Sequence, residues 1–130
     1  MIIVDASVMV TALADDGGDG RRSRLRLRGE DLAAPHLIDY EVMSAWRHMV
    51  GRGSLDAQRV ESAMRDLQDL DLERAPMGPL HQRCWELRSN LTVYDAAYIA
   101  LAEATGSTLL TADTRLSRTP GIRCAVEILY

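Results

Sequence analysis

A chain of 130 residues with 47% hydrophobic and 26% charged side chains has the make-up of a soluble globular protein. Its length suits one domain, residues 1–130, burying about two-thirds of the surface its unfolded form exposes. No apolar run approaches the ~20 residues that cross a bilayer. The apolar opening from Met1 to Ala14 has no basic leader and is interrupted by Asp5, which argues against a secretory signal, so a cytoplasmic protein without a membrane segment is expected. The net charge is −4, and all 15 Lys/Arg positions are arginine, so any contact with an anion falls to planar guanidinium groups. An acidic total does not exclude a nucleic-acid partner, because carboxylates that hold divalent cations present a positive site once loaded.

In chain order, Met1 to Asp5 reads as a short strand, and Ala6 to Ala14 as a helix with Val8, Ala12 and Leu13 at helical spacing. The glycine-rich Asp15 to Gly20 then breaks the chain, and Arg21 to Arg28 forms a short basic helix. Leu32 to Pro35 is a weak second strand. From His36 to Val50 the residues Ile38, Val42, Ala45, Trp46 and Met49 form one apolar stripe, ended by Gly51 and Gly53. Ser54 opens a further helix with Val60, Met64 and Leu67 inward, and Asp71 to Ala75 is the third strand. Pro79 to Ser89 is helical. A buried helix follows in Leu91-Thr-Val-Tyr-Asp-Ala-Ala-Tyr-Ile-Ala-Leu-Ala102, closed by Gly106, and the last strands are Ser107 to Thr111 and Ile122 to Ile128. Strands alternating with helices predict an α/β three-layer sandwich around a five-stranded, mainly parallel sheet, since parallel neighbours need crossover connections.

The carboxylates that fall at element ends carry the chemistry. Sites in open parallel sheets form beyond the carboxyl ends of strands, where strand order reverses. Asp5 ends the first strand and Asp113 follows the fourth, so the two converge if those strands are neighbours. Asp95 lies in the first turn of its helix. Glu41 lies about 80° from the centre of its apolar stripe on a wheel of ~100° per residue, at the border of the core. Four carboxylates sharing one pocket repel one another, and Mg²⁺ or Mn²⁺, hard cations that prefer oxygen, relieve that repulsion. The chemistry would then be metal-assisted cleavage of a phosphodiester. Each acid also has a plainer role: Thr92 to Asp95 fits a capping box with Asp in place of Glu, Asp5 and Asp113 suit helix N-caps, and Glu41 suits a partly solvated helix charge.

Three blocks carry a resemblance to a known family. "MIIVDASVMV", "HLIDYEVMSAWRH" and "NLTVYDAAYIALAEATGSTLLTADTRL" resemble, in order and across essentially the whole chain, PIN-domain ribonucleases and in particular the VapC toxins of type II toxin–antitoxin systems. The resemblance implies a PIN-like fold and an Mg²⁺- or Mn²⁺-dependent endoribonuclease toxin acting on structured RNA such as tRNA or rRNA. It also implies homodimers and inhibition by a cognate VapB-type antitoxin. By residue it implies Asp5, Glu41 (and not Asp39), Asp95 and Asp113 as catalytic metal ligands, with Ser7 and Thr111 holding a carboxylate or a metal-bound water.

The remaining signals are weaker. Asp15 to Gly20 has Gly17 and Arg26 where a calcium loop needs oxygen ligands, and reads as a flexible turn. Arg21, Arg22, Arg24, Arg26 and Arg28 form either a solvated face or a contact for RNA or antitoxin. His36, His48 and His81 share no spacing that suits a general base. Trp46 and Trp85 sit at core spacing, and Cys84 and Cys124, with no CxxC pair, read as partly buried reduced thiols. Two rival functions stand beside the nuclease: a catalytically silent PIN-like module that binds RNA or protein, and a phosphatase with Asp5 as nucleophile, which lacks a second acid at position 7.

Overall fold

The first strand, β1 (Ile2–Val4), is buried at every residue, the mark of a central strand covered on both faces. In the computed structural model, which describes residues 1–130, it pairs in parallel with β2 (Leu32–Pro35) on one side and β4 (Thr108–Thr111) on the other. β3 (Leu72–Ala75) and β5 (Val126–Ile128) complete an all-parallel sheet of order β3-β2-β1-β4-β5. The helices between them are α1 (Ala6–Ala14), α2 (Gly18–Leu27), α3 (Leu37–Gly51), α4 (Ala57–Asp69), α5 (His81–Glu86) and α6 (Val93–Thr105). In one layer, α1 packs on α2, α3 and α4. In the other, α5 packs on α6, which lies against β1, β2 and β4.

Helix α6 is buried at seven consecutive residues, Ala96 to Ala102, as a helix apolar on all sides must be. It starts at Thr92, whose hydroxyl accepts the Asp95 main-chain N–H at 3.1 Å, and stops at Gly106, which takes the left-handed conformation that suits glycine. On α3 the stripe of Ile38, Val42 and Trp46 is fully buried, and the Trp46 indole donates to the Val10 carbonyl at 3.3 Å. A single cluster of 30 buried residues runs through both helical layers and the sheet.

Four expectations from the sequence are corrected. The segment from Asp15 to Gly20 is not a free turn, because α2 begins inside it at Gly18. There the Asp15 carboxylate accepts the Gly20 N–H at 2.7 Å, and Arg24 donates to the carbonyls of Ala12 and Asp15 at the end of α1. Helix α4 is opened by Asp56, which caps Gln58, while Ser54 instead donates to the Met49 carbonyl at the end of α3. The last strand is confined to residues 126–128. Trp85 is exposed with Arg88 stacked over its ring, and the side chain that α5 buries is its neighbour Cys84. A six-residue helix is too short for spacing alone to say which face turns inward.

The tight α1–α2 corner has a direct consequence. A Cβ on Gly20 would overlap the Asp15 carbonyl oxygen, a backbone atom that cannot swing aside. Gly20→Ala is therefore expected to destabilise the protein by about 2 kcal/mol. Urea unfolding measures this, and a loss below about 0.5 kcal/mol would mean that the corner opens without cost.

Candidate active site

The order of the sheet reverses between β1 and β4, whose connections leave in opposite directions. The register pairs Val4 with Leu110, and beyond the strand ends the Asp5 N–H donates to the Leu110 carbonyl at 2.9 Å. Asp5 and Thr111 are thus level at the switch point. Asp5 occupies the N-cap position of α1 but makes no capping bond with its side chain. Its Oδ2 instead accepts the hydroxyls of Ser7 at 2.9 Å and Thr111 at 2.6 Å.

Those hydroxyls are aimed by the backbone. The Ala112 N–H donates to Ser7 Oγ at 3.1 Å and the Asp113 N–H to Thr111 Oγ1 at 3.0 Å, so each hydroxyl accepts a main-chain proton and gives its own to Asp5. Both hydroxyls converge on Oδ2, and Oδ1 has no hydrogen-bond partner in the protein.

Glu41 feels the charges of Asp5 and Asp95, and Asp95 feels those of Asp5 and Asp113. Burial pushes the Glu41 carboxyl above the usual range. The Tyr98 hydroxyl opposes this, and Asp5 and Asp95 reinforce it. Tyr98, buried on α6 one turn after Asp95, donates to Glu41 Oε1 at 2.7 Å. Burial also raises Asp95, with Asp5 adding to it, Arg115 opposing it, Asp113 adding and the Thr92 hydroxyl opposing. Asp113 moves the other way. It caps the 3₁₀ turn Thr114–Arg118 by accepting the Arg115 N–H, and the Arg115 guanidinium on the same carboxylate holds it below the usual range.

Asp39, the other acid of α3, is held elsewhere. Arg74 on β3 grips it through two bonds of 2.6 and 2.9 Å, which takes it out of the group around Asp5. The arginines of α2 are largely committed as well. Arg22 pairs with Asp19 and lies over the Tyr130 ring, Arg24 holds the end of α1, and Arg26 grips Glu127 on β5 and reaches Glu30, while Arg21 and Arg28 have no such partner. Sequence reasoning missed Tyr98 and Arg115. The first carried a signal, because a tyrosine at a buried helical position needs an acceptor for its hydroxyl. Arg115 carried none beyond lying two residues after Asp113.

Asp5, Glu41, Asp95 and Asp113 offer only carboxylate oxygens, with no His or Cys in the group, a donor set that suits hard divalent cations. No three of them form a ready-made cage as they stand, with Asp113 drawn onto Arg115. The fit is one of donor chemistry and charge.

A fold with an all-parallel five-stranded sheet and an acidic group at its switch point defines a class, and a family comparison gives it a name. Residues 2–122 match the PIN domain, and the chain belongs to the PIN-domain family. It is 40% identical over 129 residues to the VapC ribonuclease Mb0985 of Mycobacterium bovis, covering 99% of this chain and 98% of that protein. A toxin–antitoxin complex from Klebsiella pneumoniae shares the fold with a TM-score of 0.72 at 20% identity, over 100% of this chain and 98% of that one. VapBC2 from Rickettsia felis, bound to a DNA fragment from its promoter, shares it with a TM-score of 0.66 at 16% identity, over 100% of both chains.

The raised carboxyls have a stability consequence with a definite sign. Folded Asp95 binds its proton more readily than unfolded Asp95, so stability falls as pH rises through the ordinary carboxylate range to the raised value, and the full cost is present above it. In protein treated with EDTA, Asp95→Asn is expected to raise the melting temperature at pH 7 by roughly 2–5 °C. The gain should vanish near pH 4, roughly where an ordinary carboxyl protonates. A lower melting temperature at pH 7 would show that the carboxylate is not under strain from its neighbours.

Proposed function

We propose that the protein is an endoribonuclease that uses Mg²⁺ or Mn²⁺ to hydrolyse phosphodiester bonds in structured RNA, such as tRNA or rRNA, and is held in check by a VapB-type antitoxin. The observation that carries the reading is the preset Asp5 carboxylate, with one oxygen fixed by two hydroxyls and the other free, facing two carboxyls that are raised by burial first and by the Asp5 charge as well. A structural cap would not need this arrangement. A relative named as a ribonuclease that matches end to end supports the activity, and the toxin–antitoxin assembly among the solved neighbours supports a protein inhibitor. A homodimer is part of the same reading.

Asp5, Glu41, Asp95 and Asp113 would hold the cation. Bound there, it would supply Lewis acidity toward the phosphate and lower the pKa of a water molecule. The chain's own groups do the rest. Asp5, locked by Ser7 and Thr111, fixes the position of the charge at the end of β1. Glu41, whose carboxyl is pushed above the usual range by burial, gains from a cation that offsets its charge, and Tyr98 holds it in one orientation. Hydroxyl groups in place of cations around Asp5 and Glu41 leave their negative charge for the metal to use.

The reading separates two acids two residues apart on α3. Asp5→Asn, Asp95→Asn and Glu41→Gln are each expected to lower Mn²⁺-dependent cleavage of total tRNA or rRNA by about 10²-fold or more. Asp39→Asn, which touches only the Arg74 pair, should keep cleavage within a few-fold of the parent and lose some stability. Mapping of cut RNA ends, with and without co-expression of the protein encoded immediately upstream, reads out both substrate and inhibitor. Undiminished cleavage by the Asp5 and Asp95 variants would overturn the assignment, and an inactive parent that still binds RNA would favour a silent binding module.

A further inference from the structure

Arg115 is the one cation placed directly on the acidic group. It lies in the 3₁₀ turn Thr114–Arg118, and its Nε sits 3.0 and 3.2 Å from the two Asp113 oxygens, with Nη2 2.5 Å from Oδ2. Its charge is also felt by Asp95. The guanidinium side chain is 78% exposed and the carboxylate it grips only 27%. The arginine therefore reaches in from the solvent side and covers an acid that faces the cluster.

This ion pair differs from those of Arg59, Arg74 and Arg83 in what supports it. Unlike those of Arg22 and Arg26, which also donate only to carboxylates, it sits on the acidic group. Arg59, Arg74 and Arg83 also donate to backbone carbonyls, which anchors them in the fold. Arg115 donates its side-chain protons to Asp113 alone. An exposed pair of this kind adds little to stability, so the fold has small need of it and it is easily exchanged. Asp113 keeps its main-chain anchor to Thr111 whether or not the arginine stays.

We propose that Arg115 is a phosphate-positioning residue parked on Asp113, and that a divalent cation taking the Asp113 carboxylate releases it to grip the RNA backbone. The inference rests on the metal-dependent nuclease reading given above. Metal and arginine compete for one carboxylate, so loading the site frees a guanidinium at its rim. The fork that fits a carboxylate through two donors fits a phosphate in the same way. A phosphodiester drawn to the loaded site is then the anion within reach. The exchange ties the grip on substrate to occupancy of the site by metal, and in the meantime Arg115 offsets part of the charge around Asp113 and Asp95.

Two binding measurements on the full chain test this. Calorimetry with Mn²⁺ alone, without RNA, compares the parent with Arg115→Ala and with Arg118→Ala, which removes the same charge from the same turn. Arg115→Ala is expected to bind Mn²⁺ about 3- to 10-fold more tightly, with Arg118→Ala unchanged. At saturating Mn²⁺, anisotropy of a short fluorescent 2′-O-methyl oligoribonucleotide should show about 5- to 10-fold weaker binding for Arg115→Ala. Arg115→Lys, which keeps the charge but loses the fork, should recover only part of it. Unchanged Mn²⁺ affinity in Arg115→Ala, equal tightening in Arg118→Ala, or undiminished RNA binding would each overturn the proposal. A parent that binds no Mn²⁺ would overturn the nuclease reading itself, and the proposal with it.

Discussion

The hydrogen bond from the Asp5 N–H to the Leu110 carbonyl extends the parallel β1–β4 ladder past the strand ends and sets Asp5 level with Thr111, two residues more than a hundred positions apart in the chain. The rest of the site follows from that register. Thr111 can reach the carboxylate only from this level, and Ser7 meets the same oxygen from the first turn of α1. The loop after β4 returns its N–H groups to both hydroxyls. A slip of one residue in this pairing would turn the hydroxyl of Thr111 to the other face of the sheet and leave Asp5 unsupported.

Charge is handled in two distinct ways in this molecule. Away from the switch point, acids are met by arginine: Asp16 by Arg59, Asp39 by Arg74, Glu103 by Arg83 and Glu127 by Arg26. At the switch point, Asp5 and Glu41 are met by neutral hydroxyls, and Asp95 has the Thr92 hydroxyl beside it and feels the Arg115 charge without being gripped by it. Hydroxyls orient a carboxylate without neutralising it, so negative potential is conserved where the strands end. Asp113, with an arginine on the rim, stands between the two patterns.

Much of the framework was legible because its signals are local. The alternation of short apolar strands with helical stripes gave five strands and their order of appearance, and Thr92 and Gly106 marked the ends of α6 correctly. Glu41 was separated from Asp39 by the family resemblance alone, since the two lie at similar angles on opposite sides of the apolar stripe; the Arg74 grip on Asp39 shows itself only in the fold. Misreadings fell where local signals were weak or satisfied from a distance. Glycines at 17, 18 and 20 suggested a turn, yet close packing against the end of α1 makes them the start of a helix, with Gly20 chosen for space. The arginines from 21 to 28 looked like one basic face, but three of them are engaged with groups on α1, on β5 and at the C-terminus that no local pattern could reveal.

By itself the sequence marked candidates for chemistry: three acids at element ends, Glu41 at a core border, hydroxyls at positions 7 and 111 through the family resemblance, and no histidine or cysteine set to compete with them. It did so because secondary structure and side-chain chemistry are read over a few neighbouring positions. The tertiary structure decided how they are used. It assigned the Ser7 and Thr111 protons to one oxygen of Asp5, gave Glu41 its phenol, and set Arg115 over Asp113. Distances between strands far apart in the chain, the burial that raises Glu41 and Asp95, and the direction of each hydrogen bond are properties of packing. They exist only once α6 and the β1–β4 pair have closed around the site.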